Sequence, residues 1–595
     1  MKLIRKAIRI RPDFAGYHLS LGNIFLDQKK PEKASLSYQK CIDLRPGYAQ
    51  AYLNLGSAYD DMGRLDAAIA CFRKAIELAP DFSSAYNNLG NALTKKEKLD
   101  EAVFFLKKAV ELNPGLYEGF NNLGNVLEKQ LKLDEALEMF RRAVSLYPGY
   151  SKAYTNMANV YTLMGKQEKA ITCYREALAA DSGNYDAHTG LVFALNYLPD
   201  ISPQEIYRES CEWARRHILI QSYPRLKILK KRGEERKLRI GYVSADFNMH
   251  PVAYFMMPVL EAHNRSKVEI FCYYSRQFYD ENSRKCKALS DHWLQCEKMP
   301  DNELAERIRS DRIDILVDLS GHTAGNRLLV FARKPAPVQV SWLGDIATTG
   351  LETMDYRLTS IDASPPGSEK YFTEKLYRFT DHLWWCYRPQ ANMPDVQPSP
   401  SFVNNCITFG YTNNFAKLNH KLIEIMIEIL KKTPGSRLAM AGVPGGSARS
   451  KLLAEFIDNG IGTDRLIIKG KMDLAAYWAF HSDIDIALDS FSYNGGTTTC
   501  DALWLGVPLV TRMGETFASR MGYAIVKNIG LPELAAETWE EYVNIAISLA
   551  DNREKLNNLR LSMRHRMTNS PICDVPGFTK DLETAYHRMW KKWQG

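Results

Sequence analysis

Through the first third of the chain the apolar positions follow helical spacing, with small residues and prolines laid over it at a longer, constant interval. Pro12, Pro46, Pro80, Pro114 and Pro148 recur every 34 residues. Gly22, Gly56, Gly90 and Gly124 keep that period, with Ala158 next in register, and Ala34, Ala68, Ala102, Ala136 and Ala170 form another series. A repeat of this length predicts a stack of antiparallel helix pairs, each burying its apolar face only against its neighbours. The small residues belong where the two helices of a pair touch. The prolines belong just past the second helix, because proline cannot continue its hydrogen bonding. Leu55, Phe72, Leu89 and Phe140 fall in the core columns.

This is the tetratricopeptide pattern. It predicts five full repeats over about 15–184, a sixth beginning near Tyr185, and the end of a preceding repeat around Ala7. One column, Asn54, Asn88, Asn122 and Asn156, stands just before the leucine-glycine pair of each first helix, and core packing does not account for it. Asparagine is a poor helix-interior residue, yet its amide donates and accepts at once. A row of such amides on an inner face suits an extended peptide backbone held without reading its side chains. A solvated polar face explains the same residues.

Past Pro199 the period lapses, and a helical segment to about residue 220 and a basic stretch over 230–237 lead into a different texture. Buried-strand patterns at 238–246, 268–274 and 313–319 alternate with helical ones such as 302–310, which implies a parallel sheet flanked by helices. After a proline-rich joint at 389–400 the pattern resumes, with strands expected near 406–410, 436–441, 466–469, 485–488 and 508–511. The expected organisation is a repeat superhelix over 1–200, a helical linker over 201–237, and two Rossmann-like domains over 238–400 and 401–595, the second closed by a C-terminal helix. Other paired α/β folds share this periodicity.

Composition narrows the classes. The 595 residues are 45% hydrophobic and 25% charged, as in globular proteins. No apolar run reaches the roughly 20 residues of a membrane helix, and the first ten residues lack the form of a signal peptide. Eleven cysteines, scattered and without a C-x-x-C pair, support neither a disulfide framework nor a zinc site. A cytoplasmic protein that binds no metal and no membrane is expected. The net charge of +8 is mild for this length, and the cluster Lys230, Lys231 and Arg232 is explained by solvation without nucleic acid.

The candidate chemistry lies on loops that follow strands. Asp489-Ser-Phe-Ser-Tyr-Asn-Gly-Gly-Thr-Thr-Thr-Cys-Asp places Gly495, Gly496, Thr497, Thr498 and Thr499 at the start of a helix directly after a buried strand. Backbone N–H groups and the positive helix end form an anion site there, suited to a diphosphate. Asp501, a turn later, suits a ribose hydroxyl. A capped helix after a tight turn uses the same residues. Phe409-Gly-Tyr-Thr-Asn-Asn-Phe-Ala-Lys is again strand, loop, helix, and Lys417 there suits the charge that builds on a departing diphosphate. Asp246-Phe-Asn-Met-His-Pro and Ser320-Gly-His-Thr-Ala-Gly-Asn put His250 and His322 on strand-end loops, as proton shuttles or as structural hydrogen-bond partners.

Taken together, the asparagine-bearing repeats, 238–251, 317–350 with Ala336-Pro-Val-Gln-Val-Ser-Trp-Leu-Gly, the Asn413 to Lys417 loop, 493–508 and Gly514-Glu-Thr-Phe-Ala-Ser-Arg resemble the O-GlcNAc transferase and SPINDLY family, glycosyltransferase family 41, over nearly the whole length. The resemblance implies a GT-B catalytic region and a metal-free, inverting transfer of a sugar from a nucleotide donor to Ser or Thr of intracellular proteins. It implies that Lys417 supports the donor diphosphate, Asn414 contacts the donor, Thr497 and Thr498 bind diphosphate, Asp501 contacts ribose, and His250 lines the sugar and acceptor pocket. His322 matches the Gly-His-Thr pattern of the SPINDLY and bacterial members. No general base is assigned. Gly496 stands where animal members carry histidine, and the long insert between their catalytic halves is absent. The Thr-Thr-Thr-Cys and Ser570-Pro-Ile-Cys segments resemble the GDP-fucose-using SPINDLY branch, whereas Gly-Glu-Thr-Phe-Ala-Ser-Arg resembles the GlcNAc branch. UDP-GlcNAc is the expected donor substrate, with no cofactor, and proteins held along the superhelix are the expected acceptors. The alternatives are a GDP-fucose-dependent protein O-fucosyltransferase, a transferase acting on small molecules or glycans, and a repeat scaffold without catalysis.

Overall fold

The computed structural model describes residues 1–218, 236–344 and 346–595. Lys230, Lys231 and Arg232 therefore lie outside the described residues. The chain forms two compact units, one of Met1–Val160, Ala179–Asp181 and Gly445–Ser447, the other of Tyr161–Leu178, Ser182–Pro444 and Ala448–Gly595.

In the first unit the helix Lys2–Ile10 precedes four helix pairs, Ala15–Asp27 with Pro31–Leu44, Ala49–Asp61 with Leu65–Leu78, Ser83–Lys95 with Leu99–Leu112, and Tyr117–Lys129 with Leu133–Leu146. Each second helix stops two residues before its periodic proline. The intervening residues Arg45, Ala79, Asn113 and Tyr147 are extended, with φ from −145° to −134°, because a following proline ring disfavours the helical region. The glycine column has its reason in close approach. A Cβ at Gly56 or Gly124 would lie 2.5 Å from the ring of Phe72 or Phe140.

The asparagine column has a packing role that the sequence reading denied it. Asn54 Nδ2 donates to Asn23 Oδ1 at 2.9 Å, Asn88 Nδ2 to Ser57 Oγ at 3.4 Å, and Asn122 Nδ2 to Asn87 Oδ1 at 2.9 Å. Asn156 Nδ2 reaches both Asn121 Oδ1 at 2.9 Å and Asn125 Oδ1 at 2.8 Å. These are rungs between the first helices of successive repeats. The side chains are half-buried, so the column is a ladder with one side left to solvent.

The second unit holds two parallel sheets. The strands of the first are β1 (Leu238–Ser244), β2 (Val268–Tyr274), β3 (His292–Gln295), β4 (Ile315–Asp318), β5 (Val338–Ser341), β6 (Tyr356–Ser360) and β7 (Lys375–Phe379), in the order β3-β2-β1-β4-β5-β6-β7. Those of the second are β8 (Thr408–Tyr411), β9 (Arg437–Met440), β10 (Leu466–Ile468), β11 (Ile486–Leu488), β12 (Leu509–Arg512) and β13 (Ala535–Ala536), in the order β10-β9-β8-β11-β12-β13. Every pairing is parallel; Ile240 of β1, for instance, lies opposite Ile270 on one side and Ile315 on the other. Each sheet reverses its winding once, between β1 and β4 and between β8 and β11. At such reversals the two adjacent loops leave in opposite directions and open a crevice beyond the carboxyl ends of the strands.

The helix Val575–Gln594 leaves the second sheet and returns to the first. Its Phe578 packs against Phe379 at 5.5 Å between ring centroids, and Glu583 Oε1 accepts from the Asn264 N–H at 2.8 Å and bonds the buried His263 ring at 3.0 Å. No helix among the described residues is long and apolar enough to cross a membrane. No disulfide joins the cysteines among the described residues.

Candidate active site

The reversal between β8 and β11 places the Asn413 to Lys417 loop beside the Asp489 to Thr499 loop, which are far apart in sequence. Lys417 ends the short turn Phe415–Lys417, whose start is capped by Asn414: Oδ1 accepts from the Ala416 N–H at 3.0 Å. That turn aims the lysine across the crevice. Its Nζ donates to the Asn494 carbonyl at 2.8 Å and sits 3.8 Å above the centre of the Tyr493 ring. Burial pushes the ammonium down to about 8, against the nearby Asp489 carboxylate, which favours the charge.

Asp489, at the end of β11, organises both loops. Its Oδ1 accepts from Asn413 Nδ2 at 2.9 Å, the Ser490 N–H at 2.9 Å and the Gly495 N–H at 2.8 Å, and its Oδ2 accepts from Thr511 Oγ1 at 2.8 Å. Thr498 Oγ1 closes the circuit by donating to Asn413 Oδ1. Gly495 cannot carry a side chain, since a Cβ would lie 2.3 Å from Thr499 Oγ1 and 2.8 Å from Asn413 Oδ1. The helix Thr497–Trp504 follows Gly496 with no side-chain cap, so its first N–H groups have no capping residue and suit an anion, with Thr497 and Thr498 half-buried beside them. Thr499 is fully buried and faces inward.

Asp501 lies one turn along that helix, 8% exposed, and its Oδ1 accepts from the Tyr387 hydroxyl at 2.8 Å. Burial raises its carboxyl to about 6, with the Tyr387 bond acting in the opposite direction. The carboxylate is thus held rigidly, with one oxygen already engaged.

The reversal of the first sheet carries the two histidines, and the structure separates them. His250 caps the helix Pro251–Ala262, its Nδ1 accepting from the Val252 N–H at 3.3 Å, with Asp246 at 3.9 Å. Burial lowers its pKa, so the ring is neutral at pH 7; with Nδ1 accepting, the proton sits on Nε2. His322 corrects the catalytic expectation. It is 1% exposed, bonds the Thr349 carbonyl through Nε2 at 3.1 Å, and stands edge-on to Trp213 at 4.8 Å. Burial lowers its pKa to about 4, so it neither reaches a substrate nor shuttles a proton near neutral pH. It is a structural hydrogen-bond partner.

Sequence reasoning brought Lys417, Gly495, Thr497 and Thr498 to one place but missed Asn413, Asp489, Tyr387 and Trp385. Asp489 had a signal in hindsight: an acid directly after an Ile-Ala-Leu strand, ahead of a glycine pair. Trp385 packs flat on Phe255, centroids 4.6 Å apart and planes within 12°, and also approaches Gly496, so it spans the two sheets' halves at the crevice. No group of three or more His, Cys, Asp or Glu able to hold a metal occurs among the described residues.

Comparison with known proteins bears on the family and the fold. Residues 215–387 and 398–582 match Glycosyl transferase family 41, and residues 22–63, 49–82, 83–116 and 116–182 match tetratricopeptide repeat families. The chain is 36% identical over 414 residues to a probable UDP-N-acetylglucosamine–peptide N-acetylglucosaminyltransferase SPINDLY from Petunia hybrida, covering 68% of this chain and 44% of that protein. It is 33% identical over 376 residues to the probable transferase SEC of Arabidopsis thaliana, covering 61% of this chain and 38% of that one. The chain thus spans less than half the length of these curated relatives. A solved variant of O-GlcNAc transferase from Thermobaculum terrenum superposes with a TM-score of 0.80 at 33% identity, covering 86% of this chain and 98% of that one.

Proposed function

Because the chain belongs to glycosyl transferase family 41 and is a glycosyltransferase of GT-B fold with an N-terminal tetratricopeptide array, we propose that it transfers GlcNAc from UDP-GlcNAc to Ser or Thr of proteins held along its repeats, with inversion at the anomeric carbon. The observation that carries this reading is the convergence of Lys417 and the Thr497 helix start on one crevice, tied through Asn494 and Asn413.

In the proposed reaction the acceptor hydroxyl oxygen attacks the anomeric carbon as the bond to the β-phosphate oxygen breaks, and the hydroxyl proton is released to solvent, so that the glycoside, the nucleoside diphosphate and a proton are the products. Negative charge then grows on the leaving diphosphate, where Lys417 and the helix N–H groups stand ready. Positive charge from these groups makes a divalent ion unnecessary, so the proposed reaction runs unchanged in EDTA. Asp501, fixed by Tyr387, would accept from the ribose, and Asn414 would contact the donor. His250 would line the sugar and acceptor pocket, with Nε2–H as a donor. Asn54, Asn88, Asn122 and Asn156 would offer the amide groups left over from their ladder to an extended acceptor chain.

The runner-up donor is GDP-fucose, favoured by the resemblance of the Thr497-Thr-Thr-Cys and Ser570-Pro-Ile-Cys segments to the SPINDLY branch. A side-by-side assay with UDP-GlcNAc and GDP-fucose on a protein acceptor, read by intact-mass spectrometry, tests the proposal. Gain of a hexosamine mass with the first donor supports it. Exclusive gain of a deoxyhexose mass transfers the reading to O-fucosylation, and no gain with either, together with no calorimetric binding of UDP or GDP, points to a scaffold.

A further inference from the structure

The indole of Trp385 carries an N–H that the protein itself does not use. Trp385 is 5% exposed, and its Nε1 is buried without a hydrogen-bond partner among the described residues. Buried indole N–H groups normally find an acceptor, because leaving one unmade costs the desolvation of the donor. One face of the ring is taken by Phe255, on the helix that His250 caps. The N–H lies in the plane of the ring, so an acceptor would meet it at an edge and not on the open face.

Gly496 defines which edge. A Cβ built there would lie 3.1 Å from Cη2 and 3.7 Å from Cζ2 of Trp385, and 3.3 Å from Cε of Met521. Of the indole carbons Cη2 lies nearest, and Cζ2, bonded to the ring carbon that carries Nε1, lies second, so the benzo edge beside Nε1 borders the uncapped start of the helix Thr497–Trp504. Glycine at 496 keeps that edge clear; a larger residue would press on it. The cationic and helix-end donors suited to a diphosphate are Lys417, Thr497 and Thr498, on the side of the crevice formed by the second sheet. Trp385 instead lies between that helix start and the His250 helix, where a group attached to the diphosphate would project toward the first sheet. A neutral, directional donor in that place suits a neutral oxygen.

Resting on the donor-site reading above, we propose that Trp385 Nε1–H donates to a hydroxyl oxygen of the donor's sugar, making Trp385 a residue that recognises the glycosyl group rather than the nucleotide. Trp385→Phe keeps an aromatic ring against Phe255 and removes the N–H together with part of the bicycle, so the free diphosphate serves as the control for lost packing. Calorimetry on the full chain, with UDP, UDP-GlcNAc, GDP and GDP-fucose as titrants, reads the consequence. The expected result is that affinity for whichever nucleotide sugar the wild type prefers falls about three- to tenfold, the loss of one neutral hydrogen bond. Affinity for the matching free diphosphate stays unchanged, which also shows that the variant site is folded. Equal loss for sugar nucleotide and free diphosphate, or no loss for either, overturns the assignment. If the wild type binds none of the four titrants, the donor-site reading itself has failed and this inference falls with it; wild-type binding with an unaffected Trp385→Phe isolates the failure to Trp385.

Discussion

Lys417 shows how much a residue's role depends on what surrounds it. In sequence it is one of 77 basic residues, marked only by its place after a strand. In the structure it is desolvated, held by the Asn494 carbonyl and faced by Asp489. Lys417→Ala is expected to lower kcat by about 100- to 1,000-fold, the usual cost of removing one group that stabilises developing negative charge, while circular dichroism and the melting midpoint stay close to wild type. The pH response has a definite sign. With the folded pKa lowered to about 8 from 10.5, the ammonium loses its proton as pH rises through 8, so UDP affinity is flat below that value and declines above it. Calorimetry from pH 6.5 to 9.5 checks this, and Lys417→Ala should abolish the decline. For stability the sign is opposite: the unfolded chain holds the proton more tightly, so this lysine's penalty on folding fades as pH rises from about 8 to 10.5. Lys417 and the threonines were legible because their chemistry and their place after strands coincide. His322 had the same credentials, but no local signal says whether a loop turns its ring outward or under Trp213.

Among the elements, the repeats were the most legible, because a period of 34 residues repeats its evidence five times. The edge strand β3, His-Trp-Leu-Gln, was not legible at all: four residues, only half-buried, carry too little alternation to register. β5 to β7 escaped for a related reason, being short and separated by irregular loops instead of long helices. The reversal points could not be read from sequence, since strand order is a property of the assembled sheet. The close-packed glycine column permits a direct test. Gly124→Val drives its Cβ into Phe140, and is expected to destabilise the repeats by about 1–3 kcal/mol, as overpacking does, seen as an earlier melting transition with UDP affinity preserved. Replacing Asn88, Asn122 and Asn156 together with alanine removes rungs as well as exposed amides. Turnover on protein acceptors should fall at least tenfold while turnover on a short peptide changes less than twofold, both followed by radiolabel transfer. Equal loss on both would mean that the ladder's structural role accounts for the whole effect.

Over the whole catalytic unit, the decisive contact is the one its two sheets make through the helix Val575–Gln594. His263 is fully buried and its partner is Glu583, which also takes the Asn264 N–H. Glu583→Ala leaves that buried imidazole without its acceptor, at a cost of about 1–3 kcal/mol, while the exposed Asn264 amide turns to water. Urea unfolding should show the midpoint shifted down by the corresponding amount, with a Glu583→Gln variant recovering part of it. The domain expectation placed this helix with the second Rossmann-like half; its side chains belong as much to the first.

That arrangement sets an order of assembly. His263 and Glu583 are separated by 320 positions along the chain, so the first sheet emerges from the ribosome long before the helix that covers it. Until translation reaches Val575–Gln594, the Tyr242 and His263 face has no lid of its own and is a natural client for chaperones. A message truncated anywhere before that helix should yield aggregation-prone product instead of a half-working enzyme.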